Sequence, residues 1–191
     1  MGLWLWPWNK SPVFPMEVAW VSTSEEGAAK SEQCQGHVDC FFDHEGVVHH
    51  QYAPPGQTIT KGYYIEVLRR LRDAVRRKRQ QLWASGDWHL HHDNAPAHSS
   101  ALVQTFLVKH RITQVCQLPY SPDLAPCDFW LFSKLKLPLK GRRFQTANEI
   151  KENATRQLMA IPKKDFSDCF EKWKERWDKC VRSQGEYFEG D

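Results

Sequence analysis

The order of its predicted secondary-structure elements is the feature of this sequence that most constrains the fold. Two β-prone runs, 38–42 and 47–52, flank a short turn and predict a β-hairpin. Apolar residues at helical spacing then predict a long amphipathic helix over 60–82, with Thr60 as its cap. Short strands alternate with helices after that. This order predicts an α/β domain in which helices cover a mixed β-sheet.

The second half of the chain continues the alternation of strands and helices. Either Ser99 or Ser100 can cap the helix that follows the next strand. Residues 1–36 differ, because they mix tryptophans, prolines and a polar run without a sustained period. We predict that they form a divergent, partly disordered segment with one short strand at 16–21. The remaining predicted elements are strands at 88–92 and 114–118 and helices at 100–110, 127–137, 147–160 and 163–182.

Composition favours one folded domain. The 191 residues are 41% hydrophobic and 13% aromatic, which is enough for a substantial core. No stretch approaches the length of a membrane span, so no membrane association is expected. The six cysteines form no regular framework and no secretory signal is evident, which predicts reduced thiols and a nuclear or cytoplasmic location.

Two aspartates are the best candidates for chemistry. Asp93 follows the predicted strand at 88–92, and the binding crevice of an open α/β sheet lies at such strand ends. Asp128 follows Pro126 in the first turn of a predicted helix, where the helix dipole favours an ionised carboxylate. Two carboxylates converging on a cleft suit a hard cation such as Mg²⁺ or Mn²⁺. By spacing alone, however, both are also typical of capping and turn residues.

Positive charge is concentrated on one predicted helix. The net charge of +3 gives little indication of a nucleic-acid partner, but the arginines of this helix cluster on its outer face. They could neutralise DNA phosphates without reading sequence, and the alternative is a solvated helix face. The residues predicted to contact DNA are Arg69, Arg72, Arg76, Arg77 and Arg79.

A zinc site is the competing interpretation of the histidines and cysteines. His89 and His91 would share one face of a strand and His92 the other, so the three cannot converge on one ion. A second spacing runs from Cys34 through His37 and Cys40 to His44, but the hairpin already accounts for that region. We therefore do not predict zinc.

Several motifs together resemble the catalytic domain of mariner-family DNA transposases, from about residue 37 to 191. They are PPGQTIT at 54–60, HDNAPAH at 92–98, YSPDLAPCDFWLF at 120–132, KGRRF at 140–144, RW-x-x-C at 176–180 and GEYFEGD at 185–191. The resemblance implies a ribonuclease-H-like fold and metal-dependent DNA cleavage and strand transfer. It also implies an acidic triad whose last two members, separated by 34 residues, match Asp93 and Asp128. Asn94 and His98 would support them by orienting ligands or contacting DNA, and the alternative for His98 is a satisfied surface residue near a helix cap.

The first member of that triad has no match here, because the Gly-Asp-Glu…Trp motif of the family does not occur. Asp43 is predicted to be a turn residue, and Asp39 is interpreted as drift at a position that is usually uncharged. The central opening strand should be lacking or replaced, and a replacement at 16–21 would bring Glu17 near the metal site.

We therefore expect impaired catalysis. The alternative is an inactive module that binds DNA nonspecifically, forms a homodimer or pairs with a full-length transposase. No helix-turn-helix module precedes the domain, so recognition of transposon ends is not expected.

Overall fold

A computed structural model describes residues 16–22, 37–139, 144 and 146–183. Several sequence predictions lie outside these residues. They are the disorder predicted for most of 1–36, the Cys34 position of the zinc spacing, most of the KGRRF motif and the GEYFEGD motif.

The described part of the chain forms a five-stranded mixed sheet in the order β3-β2-β1-β4-β5. β1 pairs antiparallel with β2, and β2 pairs antiparallel with β3 in the predicted hairpin. β4 is parallel to both β1 and β5. The strands are β1 (Met16–Ser22), β2 (Val38–Asp43), β3 (Gly46–Tyr52), β4 (Trp88–His92) and β5 (Thr113–Cys116). The predicted α/β class with a mixed sheet is confirmed.

The central strand is replaced rather than lacking. β1 lies between β2 and β4, so it supplies the backbone partners that both neighbours need. Its register with β4 pairs Glu17 with His89, which lies four residues before Asp93, roughly 13 Å along an extended strand. The expectation that Glu17 lies near Asp93 is therefore wrong. Continuing that register by two residues beyond the last pair, Ala19 with His91, brings Val21 level with Asp93.

One predicted helix is divided in two. α1 (Lys61–Lys78) begins at Thr60, whose hydroxyl accepts the Tyr63 backbone N–H as predicted. The helix ends at Arg79, which has φ −130° and ψ 59°, and α2 (Gln80–Ser85) follows. The periodic pattern continues through this break, and so it predicted one helix over 60–82. α2 ends at Gly86, whose φ of 68° is the left-handed conformation that glycine tolerates best.

The other helices agree closely with their predicted bounds. They are α3 (Ala101–Lys109), capped by Ser100, α4 (Phe132–Leu139), α5 (Ala147–Ala160) and α6 (Lys163–Arg182). The predicted start of α4 differs, because residues Cys127–Leu131 form a π-helical turn before the α-helix begins. None of the described helices is both long enough and apolar enough to cross a membrane.

Each face of the sheet is covered by its own hydrophobic cluster. Phe41 and Leu90 pack with α1 and α3 on one face. Phe42 packs with α6 and with Leu131 of the π-helical turn on the other. Neighbouring residues of a strand point to opposite faces, so Phe41 and Phe42 anchor different layers. The sheet therefore lies between two helical layers.

Candidate functional site

Asp93 lies directly after β4, at the carboxyl end of the parallel strands. Its Oδ1 accepts the backbone N–H of Ala95 at 3.0 Å and the Nδ1 of His98 at 2.5 Å. Oδ2 makes no hydrogen bond within the described residues, and half of the side chain is exposed. Partial burial raises the pKa of Asp93, but the His98 contacts and the Ala95 N–H outweigh it and lower the pKa below its usual value. Asp93 is thus an ionised carboxylate with one oxygen still available.

His98 is held in place by a buried aromatic cluster. Its ring is 1% exposed and packs against Tyr64 at a centroid distance of 4.0 Å. The Tyr64 hydroxyl is 2.7 Å from Nδ1 of His92. Burial raises the pKa of Tyr64 well above its usual value, and burial with the nearby His98 lowers the pKa of His92 to about 3. Tyr64 therefore donates to a neutral His92, and the packed cluster orients His98 towards Asp93.

Asp128 lies in the first turn of the π-helix after Pro126. Its backbone N–H bonds to the carbonyl of Ala125 at 2.9 Å, and its exposed carboxylate makes no hydrogen bond or ion pair with the described residues. Burial and then the charge of Asp93 raise its pKa, with Lys136 partly opposing them. The negative charge of Asp93 therefore disfavours the ionised form of Asp128, and the convergence of the two carboxylates on one cation stays a prediction.

Trp173 joins the two segments that carry these aspartates. Its indole N–H donates to the carbonyl of Leu124, just before the Asp128 turn, at 2.7 Å. Its ring packs on His91 of β4 at a centroid distance of 4.9 Å. Sequence reasoning gave Trp173 no part in the site. The one signal of a further role was its N–H, which needs a partner when the indole is buried.

A second link ties the loop after β4 to the loop after β5. The Asn94 amide donates to the carbonyl of Gln117 at 2.9 Å. The Gln117 amide in turn donates to the carbonyl of Ser121 at 2.6 Å. Asn94 thus holds the two loops together, and sequence reasoning missed Gln117 because long-range bonding to a backbone carbonyl leaves no local pattern.

Neither Asp39 nor Asp43 is free to complete the site. The fully buried Asp39 accepts hydrogen bonds from Tyr63 at 2.9 Å and Gln51 at 3.3 Å, and lies 3.0 Å from His37 Nε2. The interpretation of Asp39 as drift stays a prediction, but its carboxylate is the centre of a buried hydrogen-bond network. Asp43 accepts the backbone N–H of Glu45 in the predicted turn. Within the described ranges, no group of three or more histidine, cysteine or acidic side chains is placed to bind a metal ion.

The five arginines do not form one exposed face. Arg69 pairs with Glu66 at 2.7 Å and Arg76 with Asp73 at 3.2 Å, all of them exposed. Arg77 is also exposed and donates to the backbone carbonyl of Asp73. Arg76 lies twelve residues after Tyr64, about 18 Å along α1, so it is remote from Asp93.

Arg79 and Arg72 depart from the predicted arrangement. The Arg79 side chain is 12% exposed and forms a bidentate pair with Asp43 at 2.7 and 2.9 Å. The prediction that it contacts DNA is wrong for this geometry, because a buried carboxylate occupies its guanidinium. Arg72 is half-buried over the ring of Trp83.

The predicted separation of the β4 histidines is found. His91 packs on Trp173 and His92 on Tyr64, on opposite faces of the sheet, so they do not share a ligand position. None of the described cysteines takes part in a disulfide in this structure; they are Cys40, Cys116, Cys127, Cys169 and Cys180.

Comparison with known proteins identifies relatives of this arrangement. A family described as "Transposase (partial DDE domain)" matches residues 18–85, beginning within β1. The Mariner Mos1 transposase of Drosophila mauritiana is 31% identical over 150 residues, 78% of this chain and 44% of that protein. The histone-lysine N-methyltransferase SETMAR of Homo sapiens is 29% identical over 153 residues, 80% of this chain and 22% of that protein. The chain thus spans less than half the length of either curated relative.

Solved structures show the same fold. The crystal structure of the catalytic domain of Mos1 mariner transposase has a TM-score of 0.78 at 27% identity, covering 91% of this chain and 83% of that one. The Mos1 paired-end complex with the left transposon end has a TM-score of 0.78 at 26% identity, covering 94% and 58%. Structures of the Mos1 catalytic domain with Mn and with Mg also match. The expected ribonuclease-H-like fold is confirmed.

Proposed function

We infer that this chain, a domain related to the catalytic domain of mariner transposases, binds a divalent cation between Asp93 and Asp128 and retains at most weak DNA-nicking activity. The observation that carries this inference is that Trp173 contacts both the strand before Asp93 and the segment before Asp128, and that both carboxylates are exposed. The metal-containing structures of the Mos1 catalytic domain support the choice of Mg²⁺ or Mn²⁺.

The donor set fits a hard cation. Asp93 Oδ2 and both oxygens of Asp128 make no hydrogen bond within the described residues, so they are available as ligands. A cation between them would relieve the repulsion that raises the pKa of Asp128. Oxygen ligands are those that Mg²⁺ prefers, and water usually completes its coordination.

The residues around the carboxylates position them. His98 holds Asp93 Oδ1, which would leave Oδ2 directed to the cation. Asn94 and Trp173 hold the two acid-bearing segments against β5 and α6. A divalent cation, when bound, would neutralise charge on a phosphodiester and acidify a coordinated water. Phosphoryl transfer depends mainly on such positioning and charge neutralisation.

Weak activity is expected because the described residues place no third carboxylate beside Asp93 and Asp128. β1 reads Met-Glu-Val-Ala-Trp-Val-Ser, and its only acid, Glu17, is in register with His89 rather than with Asp93. Asp39 and Asp43 are occupied by buried partners. Two carboxylates can hold one cation, whereas a two-metal centre requires bridging ligands on both sides. We therefore propose that catalysis is impaired in this chain.

A plasmid-nicking assay tests both parts of this proposal. In Mn²⁺, the wild type should convert supercoiled plasmid slowly to the nicked form, and Asp128→Ala should not. Val21→Asp adds a carboxylate level with Asp93 and should increase the nicking rate at least about tenfold. Asp128→Asn in the Val21→Asp background is the matched control and should abolish the gain. Equal nicking by the wild type and Asp128→Ala would refute the metal site.

The second candidate function is DNA binding without catalysis. Exposed Arg69, Arg76 and Arg77 favour it, and relatives are described in a paired-end complex with a transposon end. We also propose that the chain forms a homodimer or pairs with a full-length transposase, and that it is located in the nucleus. If the wild type does not nick the plasmid in Mn²⁺ but still binds it in EDTA, this function would be favoured over nicking.

A further inference from the structure

A cleft of about 380 Å³ lies at the end of the sheet opposite to Asp93. It is formed where α2 ends, β4 begins and α3 ends. Trp88 in its wall precedes Asp93 by five residues, about 16 Å along β4, so the cleft is separate from the carboxylate site. We call it the Trp–Arg cleft, and the side chains that line it include Arg72, Trp83, Ser85, Trp88, His110 and Arg111.

The Trp–Arg cleft is positively charged. Two arginines and no acidic residue line it. Burial lowers the pKa of His110, and the charges of Arg72, Lys109 and Arg69 lower it further, which shows that positive charge accumulates here. Arg111 and Lys109 make no ion pair with the described residues, and the neighbouring Asp73 already pairs with Arg76. The exposed Asp87 lies between the lining residues Gly86 and Trp88, but the two arginines outnumber it, so the cleft attracts an anion.

Arg72 offers a donor that the described residues do not satisfy. Its Nε is buried and makes no hydrogen bond within them. The guanidinium lies 5.3 Å from the centre of the Trp83 ring, which fixes its orientation without supplying an acceptor. Buried donors in folded proteins nearly always have an acceptor, which an anionic oxygen reaching Arg72 from the cleft could supply.

Aromatic rings provide the other half of the site. Trp88 is 5% exposed, and Trp83 is only half-buried, which leaves part of its indole accessible from the cleft. The Ser85 hydroxyl already donates to the carbonyl of Leu82, so polar recognition falls to the arginines. Cationic side chains beside an accessible aromatic ring are the combination that binds single-stranded nucleic acid, through its phosphates and its bases.

We propose that the Trp–Arg cleft binds one nucleotide of single-stranded DNA, with its phosphate at Arg72 and Arg111 and its base against Trp83. The site needs no metal ion and lies outside the Asp93–Asp128 centre. It rests on the proposed function only in taking DNA as the ligand.

Fluorescence anisotropy of the full chain with a short labelled single-stranded oligonucleotide, in EDTA, tests the proposal. Arg111→Glu should weaken binding about tenfold, because it replaces a phosphate contact with a repulsive charge. Arg156→Glu makes the same charge change at an exposed arginine of α5 and should leave affinity within about twofold. Trp83→Leu should weaken binding at least about fivefold through lost base stacking.

Three outcomes would overturn the proposal. Equal losses in Arg111→Glu and Arg156→Glu would show that only net charge matters. Wild-type affinity in Trp83→Leu, or equal binding of a duplex of the same length, would remove the base contact. Asp128→Ala should bind the oligonucleotide in EDTA as the wild type does, so failure of the nicking proposal is distinguishable from failure of this one.

Discussion

The four aspartates near the sheet fall into two pairs that the protein treats differently. Asp39 and Asp43, on β2, are fully buried, and each accepts at least one hydrogen bond from α1 or from the residue at its end. Asp93 and Asp128 are exposed at the ends of their segments. The negative charge of Asp93 raises the pKa of Asp128 and so disfavours its ionised form. Buried acids that are satisfied stabilise a fold, whereas accessible acids that repel each other are arranged for a ligand.

The same contrast separates the arginines. Arg79 closes an ion pair with Asp43 and so belongs to the fold. Arg72 is partly buried without an acceptor for its Nε among the described residues, and so resembles the accessible aspartates. Burial alone therefore does not distinguish structural from ligand-binding charges. The presence or absence of a compensating partner does.

The largest effect should come from breaking the Arg79–Asp43 pair. Arg79→Met leaves Asp43 buried without its guanidinium and should lower the free energy of unfolding by about 3–5 kcal/mol. Arg77→Met is the matched control, since this arginine is exposed on the same helix, and should change it by less than about 0.5 kcal/mol. Urea denaturation measures both. Similar values for the two variants would contradict a structural role for Arg79.

A smaller loss is expected at the other buried acid. Asp39→Asn keeps the shape of the side chain but turns an N–H₂ group towards donors such as the Tyr63 hydroxyl. This substitution should lower the free energy of unfolding by about 1–3 kcal/mol. Tyr63→Phe removes a single donor and should cost about 1 kcal/mol. A double-mutant cycle by urea denaturation should show coupling between the two positions. Additive losses would mean that the Asp39 network is not cooperative.

The smallest effects, with opposite signs, should distinguish Asp128 from Asp93. The raised pKa of Asp128 means that the folded state binds its proton more tightly, so the ionised group reduces stability as pH rises above the ordinary value of 3.8. Asp128→Asn should therefore be more stable than the wild type at neutral pH, by less than about 1 kcal/mol for an exposed group. The advantage should vanish in acid.

Asp93 has a lowered pKa, so its contribution to stability is present above the ordinary value and is lost as pH falls through the lowered one. Asp93→Asn should thus destabilise the protein at neutral pH. Excess Mg²⁺ should raise the melting temperature of the wild type and of neither variant. Thermal unfolding across pH, with and without Mg²⁺, measures all of these effects. Shifts of the same sign in both variants would contradict the pairing described above.

Local signals accounted for most of the fold. Thr60 and a serine at 99 or 100 were expected as helix caps, and the structure has Thr60 and Ser100 in those positions. The bounds of α5 and α6 agree with their hydrophobic periodicity. The break at Arg79 was missed because it accompanies a contact with Asp43, 36 residues earlier in the chain. Periodicity reports neighbours along a helix and carries no information about such a contact.

The sequence by itself determined the order of elements, the hairpin turn and the positions of Asp93 and Asp128 at a strand end and a helix start. These depend on residues a few positions apart, where caps, turns and periodicity act. Only the tertiary structure decided that β1 occupies the centre of the sheet, that Asp39 and Asp43 are satisfied and that the Trp–Arg cleft combines residues from separate elements. Those outcomes depend on which distant groups meet after folding, because burial and charge compensation are properties of the packed molecule.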